Sequence, residues 1–274
     1  MMSRIFAIAA IEMRIALRNR WVAIAVAMMV LFSLVLSAAG SAPTGALGTD
    51  RLSVIVASLT SLAVYLVPLV ALLMSFDAIA GEVERGTLPL LLTYPVSRTQ
   101  IVLGKALAHL AVLAMALAAG YGVAAIAAIA SDASALNGLP SLWRLFWSSL
   151  PLGAAFLGAG YTLSALARRP SGAAGLAIGL WLVAVVLWDL ALLAAVVADD
   201  GGRFTTSFLP AALLTNPADA FRLYNLSASQ ATAAAAGLAG AANAIPPFAA
   251  LASVLLWPLG GLAAAVLAFR RITP

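Results

Sequence analysis

One histidine, His109, and no cysteine stand in a chain of 274 residues, which removes most metal and thiol chemistry at once. A zinc site wants several His or Cys ligands at fixed spacing, and a disulfide framework wants paired thiols. Met28, Met29, Met74 and Met115 offer soft thioethers suited to Cu(I), although methionine in an apolar segment ordinarily packs. Nucleotide chemistry is missing too: Gly104-Lys105 lacks the upstream glycine of a phosphate-cradling loop and is followed by alanine. Neither Gly-x-Ser-x-Gly nor His-Glu-x-x-His occurs. Charge is what remains. Asp77, His109 and Asp189 lie in or at the edge of apolar stretches, where an ionisable group is a functional candidate by default. Asp77 suits a helix cap or a partner for Arg85. His109, read as about one turn into its segment, suits a hydrogen bond near the interface or a proton relay. Asp189, beside Trp188, suits either a structural hydrogen bond or a place on a pathway, and nothing in the sequence names its basic partner.

The densest charge cluster runs from Asp77 to Lys105 between two long apolar segments and holds Glu82, Glu84, Arg85, Arg98 and Lys105. Such a connector belongs at a water boundary, because charges at the centre of a bilayer are costly. Glu82 to Leu92 fits a short surface helix with charges on one side and leucines on the other, and Arg85 stands i, i+3 from Glu82. Gly86 and Pro89 limit its length. Ser97-Arg98-Thr99-Gln100 followed by an apolar run is a capping box, so a new helix is expected near Ser97. Loop charges of this kind also serve simply to orient a membrane protein.

The elements that must carry these groups are membrane helices. The chain is 64% hydrophobic and 9% charged, against about 25% charged in soluble domains. The fold class is therefore an all-α integral membrane protein, read as one transmembrane domain over 1–274. Six transmembrane helices are expected at about 21–39, 52–79, 101–130, 145–167, 172–198 and 248–269, each able to cross a core of about 30 Å. Trp21–Ala39 also has the flanks of a signal peptide, with Ser37-Ala38-Ala39 like a cleavage site; its long apolar core and extended basic lead-in favour an uncleaved span. Six spans put both termini on one side. That side holds Arg4, Arg14, Arg18, Arg20, Arg85, Arg98, Lys105, Arg168, Arg169, Arg270 and Arg271, 11 of the 15 basic residues. The bias predicts an N-in/C-in topology and accounts for the pI of about 10.2 without nucleic acid.

The longest outer connection, about 199–247, opens with the turn signal Asp199-Asp200-Gly201-Gly202. Its apolar pieces 208–214, 216–223 and 227–242 suggest short helices lying on the outer surface or dipping into it, since a structureless loop of that length would be unusual. Either they pack on the ends of the spans or they form a docking surface or lid. Small residues three and four apart, such as Gly153, Gly158 and Gly160, or Gly172, Gly175 and Gly179, allow close helix packing or a dimer seam.

The run Gly-Glu-Val-Glu-Arg-Gly-Thr-Leu (81–88), then Tyr-Pro-Val-Ser-Arg (94–98) and Gly104-Lys105, resembles the first cytoplasmic loop of permease subunits of the ABC-type-2 superfamily. That resemblance implies a coupling helix docked on a separate ATPase, with Glu82, Glu84, Arg85, Gly86, Thr87 and Arg98 as coupling residues. It also implies a homodimer with two copies of a cytoplasmic ATPase, which binds the ATP and Mg2+. No cofactor, metal or catalytic residue is then expected in this chain, and the ATPase activity resides in the partner. With Asn216-Pro-Ala-Asp-Ala-Phe-Arg-Leu223, the motifs are similar to those of permeases in NosDFY-type assemblies, which serve copper-site maturation of nitrous oxide reductase. This implies a NosF-like ATPase inside, a NosD-like periplasmic copper-handling protein outside, and a place in the bacterial inner membrane. Asn216, Pro217, Asp219, Phe221 and Arg222 are then expected on the periplasmic partner surface, with Phe221 an apolar anchor and Arg222 either meeting that partner's acids or bracing the loop through Asp219 at i, i+3. Cargo stays open between copper, a sulfur species and a purely conformational signal. A general exporter of lipid, drug or peptide is the alternative of the same class; a membrane scaffold or intramembrane enzyme without an ATPase is the alternative of another.

Overall fold

The computed structural model describes residues 2–18, 20–39, 51–167, 169–226 and 245–272, and among these it holds helices and short turns with no strand. The expected alanine-rich piece 227–242, the outer loop 40–50 and Arg168 lie outside the described residues. The helices are α1 (Met2–Leu17), α2 (Arg20–Ala39), α3 (Arg51–Ser75), α4 (Asp77–Glu84), α5 (Leu88–Thr93) and α6 (Arg98–Ser131). They continue with α7 (Leu139–Ala167), α8 (Pro170–Trp181), α9 (Trp188–Asp199), α10 (Leu209–Thr215), α11 (Pro217–Leu226) and α12 (Pro247–Arg270). A π-helical turn, Leu182–Leu187, joins α8 to α9 into one continuous helical run, and a second, Phe204–Phe208, precedes α10.

Among the described residues, five helical runs are long and apolar enough to cross a membrane: 52–84, 98–131, 133–167, 170–199 and 247–270. Where the first span is expected lies the 20-residue helix α2, whose described apolar run, Val26–Ser37, is shorter than a full crossing. The second expected span differs in detail. Its regular helix ends at Ser75, and a turn at Phe76 separates α3 from α4. The break is held from outside: the backbone N–H groups of Ile79 and Ala80 donate to Ser164 Oγ on α7 at 3.0 and 2.9 Å. A helix start leaves such donors unpaired, so Ser164 does for α4 what a local cap would do.

The expected helix over 82–92 is divided in two. Gly86 takes φ +68°, the left-handed conformation that ends a helix at least cost to glycine, and α5 restarts with Pro89 in its first turn. The capping box at Ser97 is present as expected: Gln100 N–H donates to Ser97 Oγ at 3.2 Å and Ser97 N–H to Gln100 Oε1 at 2.8 Å.

The core sits around α7, which packs between α3, α6 and α12 with Leu152, Phe156, Leu157 and Tyr161 buried. Against α12 the approach is as close as backbones allow. A Cβ placed on Gly158 would lie 2.5 Å from the Gly261 carbonyl carbon, so only glycine fits. The run 170–199, by contrast, buries just Ala173, Ala177 and Val185.

The chain after α9 decides between helices on the outer surface and helices dipping into it. Asp200 and Gly201 turn it back through positive φ, and α11 then buries nine of its ten residues against α3, α7 and α12. Asn216, just before α11, donates from Nδ2 to the Ala184 carbonyl at 2.6 Å. Ala184 lies in the middle of the 170–199 run, fifteen residues before Asp199, or about 22 Å along a helix. Helix α11 is thus re-entrant rather than superficial.

Candidate functional site

At the end of the bundle that carries Arg85, Arg98 and Arg270, the site is assembled from three helices and the two short ones between them. Arg4, Ile8 and Glu12 recur four apart on α1 and so share one face. Each touches the 77–105 region. The Arg4 guanidinium donates to the Pro95 carbonyl. Ile8 lies over Gly104, where a Cβ would come within 2.7 Å of its side chain. Glu12 pairs with Lys105, whose ammonium also reaches Glu82 on α4 at 3.4 Å. The Lys105 side chain is 5% exposed, and the two carboxylates 14% and 19%. One ammonium between two carboxylates therefore ties α1, α4 and α6 together in a largely dry setting, where the unpaired charges would be costly.

A cavity of about 240 Å³ opens beside this cluster, lined by Glu12, Met74, Asp77, Glu82, Arg85, Lys105 and His109 among others. His109 lies eleven residues after the start of α6, about three turns in rather than the one expected. It is buried, and its Nδ1 stands 2.7 Å from the Tyr161 hydroxyl of α7.

The residues expected to couple divide into two sets. Glu84, Arg85 and Gly86 face outward. Of the two partners the sequence offered Arg85, it takes Asp77 at 3.3 Å rather than Glu82, because Glu82 is turned inward to Lys105 and takes the Thr87 hydroxyl as a second partner. Arg98 also turns in: it donates to the Phe269 carbonyl and lies 5.3 Å from that ring's centre, fastening the loop to the last helix. Sequence reasoning missed Leu90 and Tyr94, 65% and 66% exposed beside Glu84's helix, because the leucines of this stretch were placed on a hidden side. It also missed Glu12, though a signal existed: Glu12 is the one acid among the first 49 residues.

At the opposite end the re-entrant helix builds a second cluster. Arg222 on α11 forks onto Asp189 of α9 at 2.7 and 3.4 Å and reaches Asp219 at 3.4 Å. Asp189 thereby acquires the basic partner that the sequence left unnamed. Asn225 and Ser148 exchange hydrogen bonds at 2.9 and 3.2 Å, and the Arg144 guanidinium lies 4.9 Å from the centre of the Tyr224 ring. The expected partner surface is consequently an interior one. Asn216 is 6% exposed, Asp219 2% and Phe221 0%, Pro217 is buried, and Arg222 is committed to two aspartates. Phe221 fills the main apolar core instead of offering an anchor outside. The reason is that α11 dips inward.

The methionines do not converge on a metal site: Met29 is buried in the core, Met28 and Met115 are exposed, and Met74 packs with Met13 beside Ala16 and Val112. Among the described residues no group of three His, Cys, Asp or Glu is placed to hold a metal.

Long apolar helices, a charged two-helix connector stapled to an N-terminal helix, and a re-entrant outer segment define a multi-pass membrane permease, and the chain belongs to the ABC-2 family, described as "ABC-2 family transporter protein", which matches residues 6–272. It is an ABC transporter permease. Among curated proteins it is 44% identical over 271 residues to the "Probable ABC transporter permease protein NosY" of Pseudomonas aeruginosa, covering 97% of this chain and 98% of that one. The protein of the same name from Stutzerimonas stutzeri is 40% identical over 279 residues, covering 98% and 99%.

Proposed function

We propose that this permease is the NosY-like membrane half of an ATP-driven assembly that does transport or conformational work for copper-site maturation of nitrous oxide reductase. In this reading it crosses the bacterial inner membrane six times, α2 included, with both termini and the α4–α5 connector in the cytoplasm. Two copies form a homodimer and bind two NosF-like ATPases, which hold the ATP and Mg2+. A NosD-like copper-handling protein sits on the periplasmic side. Copper, if it is moved, is cargo rather than a resident metal.

The observation that carries the coupling role is the exposed crest of the connector. Glu84, Arg85, Leu90 and Tyr94 project outward while Glu82 and Arg98 anchor the same stretch to α6 and α12 and Leu88 is buried in the main core. A surface of two exposed apolar side chains beside opposite charges, held on a firm base, suits docking into a protein groove. The decisive variant is Glu84→Lys with Leu90→Asp, which leaves every anchored residue in place. The expected result is a permease that still inserts and dimerises but no longer co-purifies with its ATPase. Unchanged co-purification and full function would remove the crest from the docking surface. For the periplasmic partner, the exposed aromatics Phe208 and Phe248, 62% and 74% exposed, replace Phe221 as contact candidates.

A further inference from the structure

We propose that Asp219 is a proton-binding site: it holds a proton in the resting permease, and α11 is seated against the α8–α9 span with that proton in place. The words "outer" and "periplasmic" here rest on the topology proposed above; the chemistry does not.

Two carboxylates, Asp189 and Asp219, share a single guanidinium, Arg222. Asp189 takes the forked, shorter bonds, and Asp219 gets one contact at 3.4 Å through Oδ1. Asp219 is 2% exposed, and its Oδ2 is buried with no partner in good hydrogen-bond geometry; the indole Nε1 of Trp188 is the donor beside it, a weak opposing contact, and is otherwise unpaired. With both acids ionised the cluster carries a net charge of −1 about 15 Å inside the end of its span, counted as ten residues of helix from Asp199 to Asp189. An isolated buried charge of that kind is relieved by taking up a proton.

Among the described residues no other charge is at hand to neutralise it. Helix α10 carries no titratable side chain, and α12 has Arg270 alone, at the far end of the molecule. Helix α3 contributes Tyr65, which bears on Arg222, and α7 contributes Arg144, which is spent on the Tyr224 ring. The step is a simple one: a proton from the outer aqueous phase adds to the Asp219 carboxylate, and the resulting O–H turns to an Asp189 oxygen. The gain is a neutral triad that lets the polar residues of α11 lie at membrane depth.

The test uses the permease with its ATPase, reconstituted in lipid nanodiscs, and infrared difference spectra of the carboxylic acid carbonyl stretch. At pH 7 the wild type is expected to show a protonated carboxyl that Asp219→Asn lacks. Asp189→Asn is expected to lack it as well, because Asp219 then ionises against Arg222. Asp219→Asn imitates the protonated acid, so its unfolding midpoint should stay within about 2 °C of wild type, a shift worth less than about 1 kcal/mol at this chain length. The folded state retains a proton that the unfolded chain releases above about pH 3.9, so this contribution is full at low pH and lost as pH rises through the raised folded value. The wild-type midpoint should therefore fall relative to Asp219→Asn between pH 5 and pH 8, approximate bounds on either side of that titration. Absence of the band at pH 7, its persistence in Asp219→Asn, or failure of Asp219→Asn to assemble would each overturn the proposal. None of these readouts depends on copper or on ATPase coupling, so a failed docking assignment leaves the proton site standing, and the reverse.

Discussion

Lys105 is the residue whose loss should be felt furthest from where it sits. Lys105→Met keeps most of the side-chain length and removes the ammonium that Glu12 and Glu82 share. Stranding one partner of a buried ion pair costs about 3–5 kcal/mol, and the 14% and 19% exposure of the two carboxylates lets water recover part of it, so about 2–3 kcal/mol is expected. For a chain of this size each kcal/mol moves the midpoint by about 2–4 °C, giving a drop of about 4–12 °C. The assay is thermal unfolding of the purified permease, read beside ATPase activity of the assembled complex. Charge repulsion between the stranded carboxylates should release α1 from α4, so ATP hydrolysis should decouple from the permease even below the melting range. The control is chemical. Lys105→Met combined with Glu12→Gln and Glu82→Gln removes all three charges and should restore most of the stability, because replacing a whole buried cluster is far gentler than breaking it. A single mutant that melts within about 1 °C of wild type, less than the shift of half a kcal/mol, would refute the reasoning. So would a triple mutant no better than the single.

Two further perturbations check other parts of the structure. Single cysteines at Tyr94 and Phe208, 66% and 62% exposed at opposite ends, should be labelled by impermeant reagents from opposite sides of the membrane, and labelling of both from one side would sink the proposed topology. Phe221→Ala should cost about 3–5 kcal/mol as a cavity in a close-packed core and lower stability and assembly together; a selective loss of periplasmic-partner binding with an unchanged midpoint would restore Phe221 to the surface.

The helical elements were legible because the bilayer imposes a simple demand, long apolar runs with polar breaks, and the boundaries at Leu139–Ala167 and Pro247–Arg270 follow the expected 145–167 and 248–269 closely. The capping box at Ser97 was legible for a local reason: donor and acceptor are three residues apart. What could not be read is whatever depends on distance along the chain. Ser164 capping α4 from 84 and 85 residues away, and Glu12 meeting Lys105 across 93, leave no spacing to recognise. Arg85 lies between the two cases: both of its candidate partners, Glu82 and Asp77, could be read locally, but only the long-range engagement of Glu82 by Lys105 decides for Asp77.

For helix α11 the sequence left two placements open, and what its burial corrects is the expected partner surface. Asn216, Asp219, Arg222 and Asn225 within ten residues would, taken alone, suit a helix that belongs to water. In a soluble protein that inference is sound. Between membrane spans it reverses, because a polar side chain at depth is excluded from the lipid and must find its partner inside the protein. Each of the four does so here: Asn216 on the Ala184 carbonyl, Asp219 and Arg222 with Asp189, Asn225 with Ser148. The π-helical turn at Leu182–Leu187 is part of the same arrangement, since a turn of that kind loosens the regular ladder and leaves the Ala184 carbonyl open to a donor from outside. A polar helix and a distorted span are thus two halves of one joint. The sequence sign of such a joint is an acid within an apolar run together with a polar segment beyond the following turn that is too apolar, through Phe221 and Leu223, to be free in water.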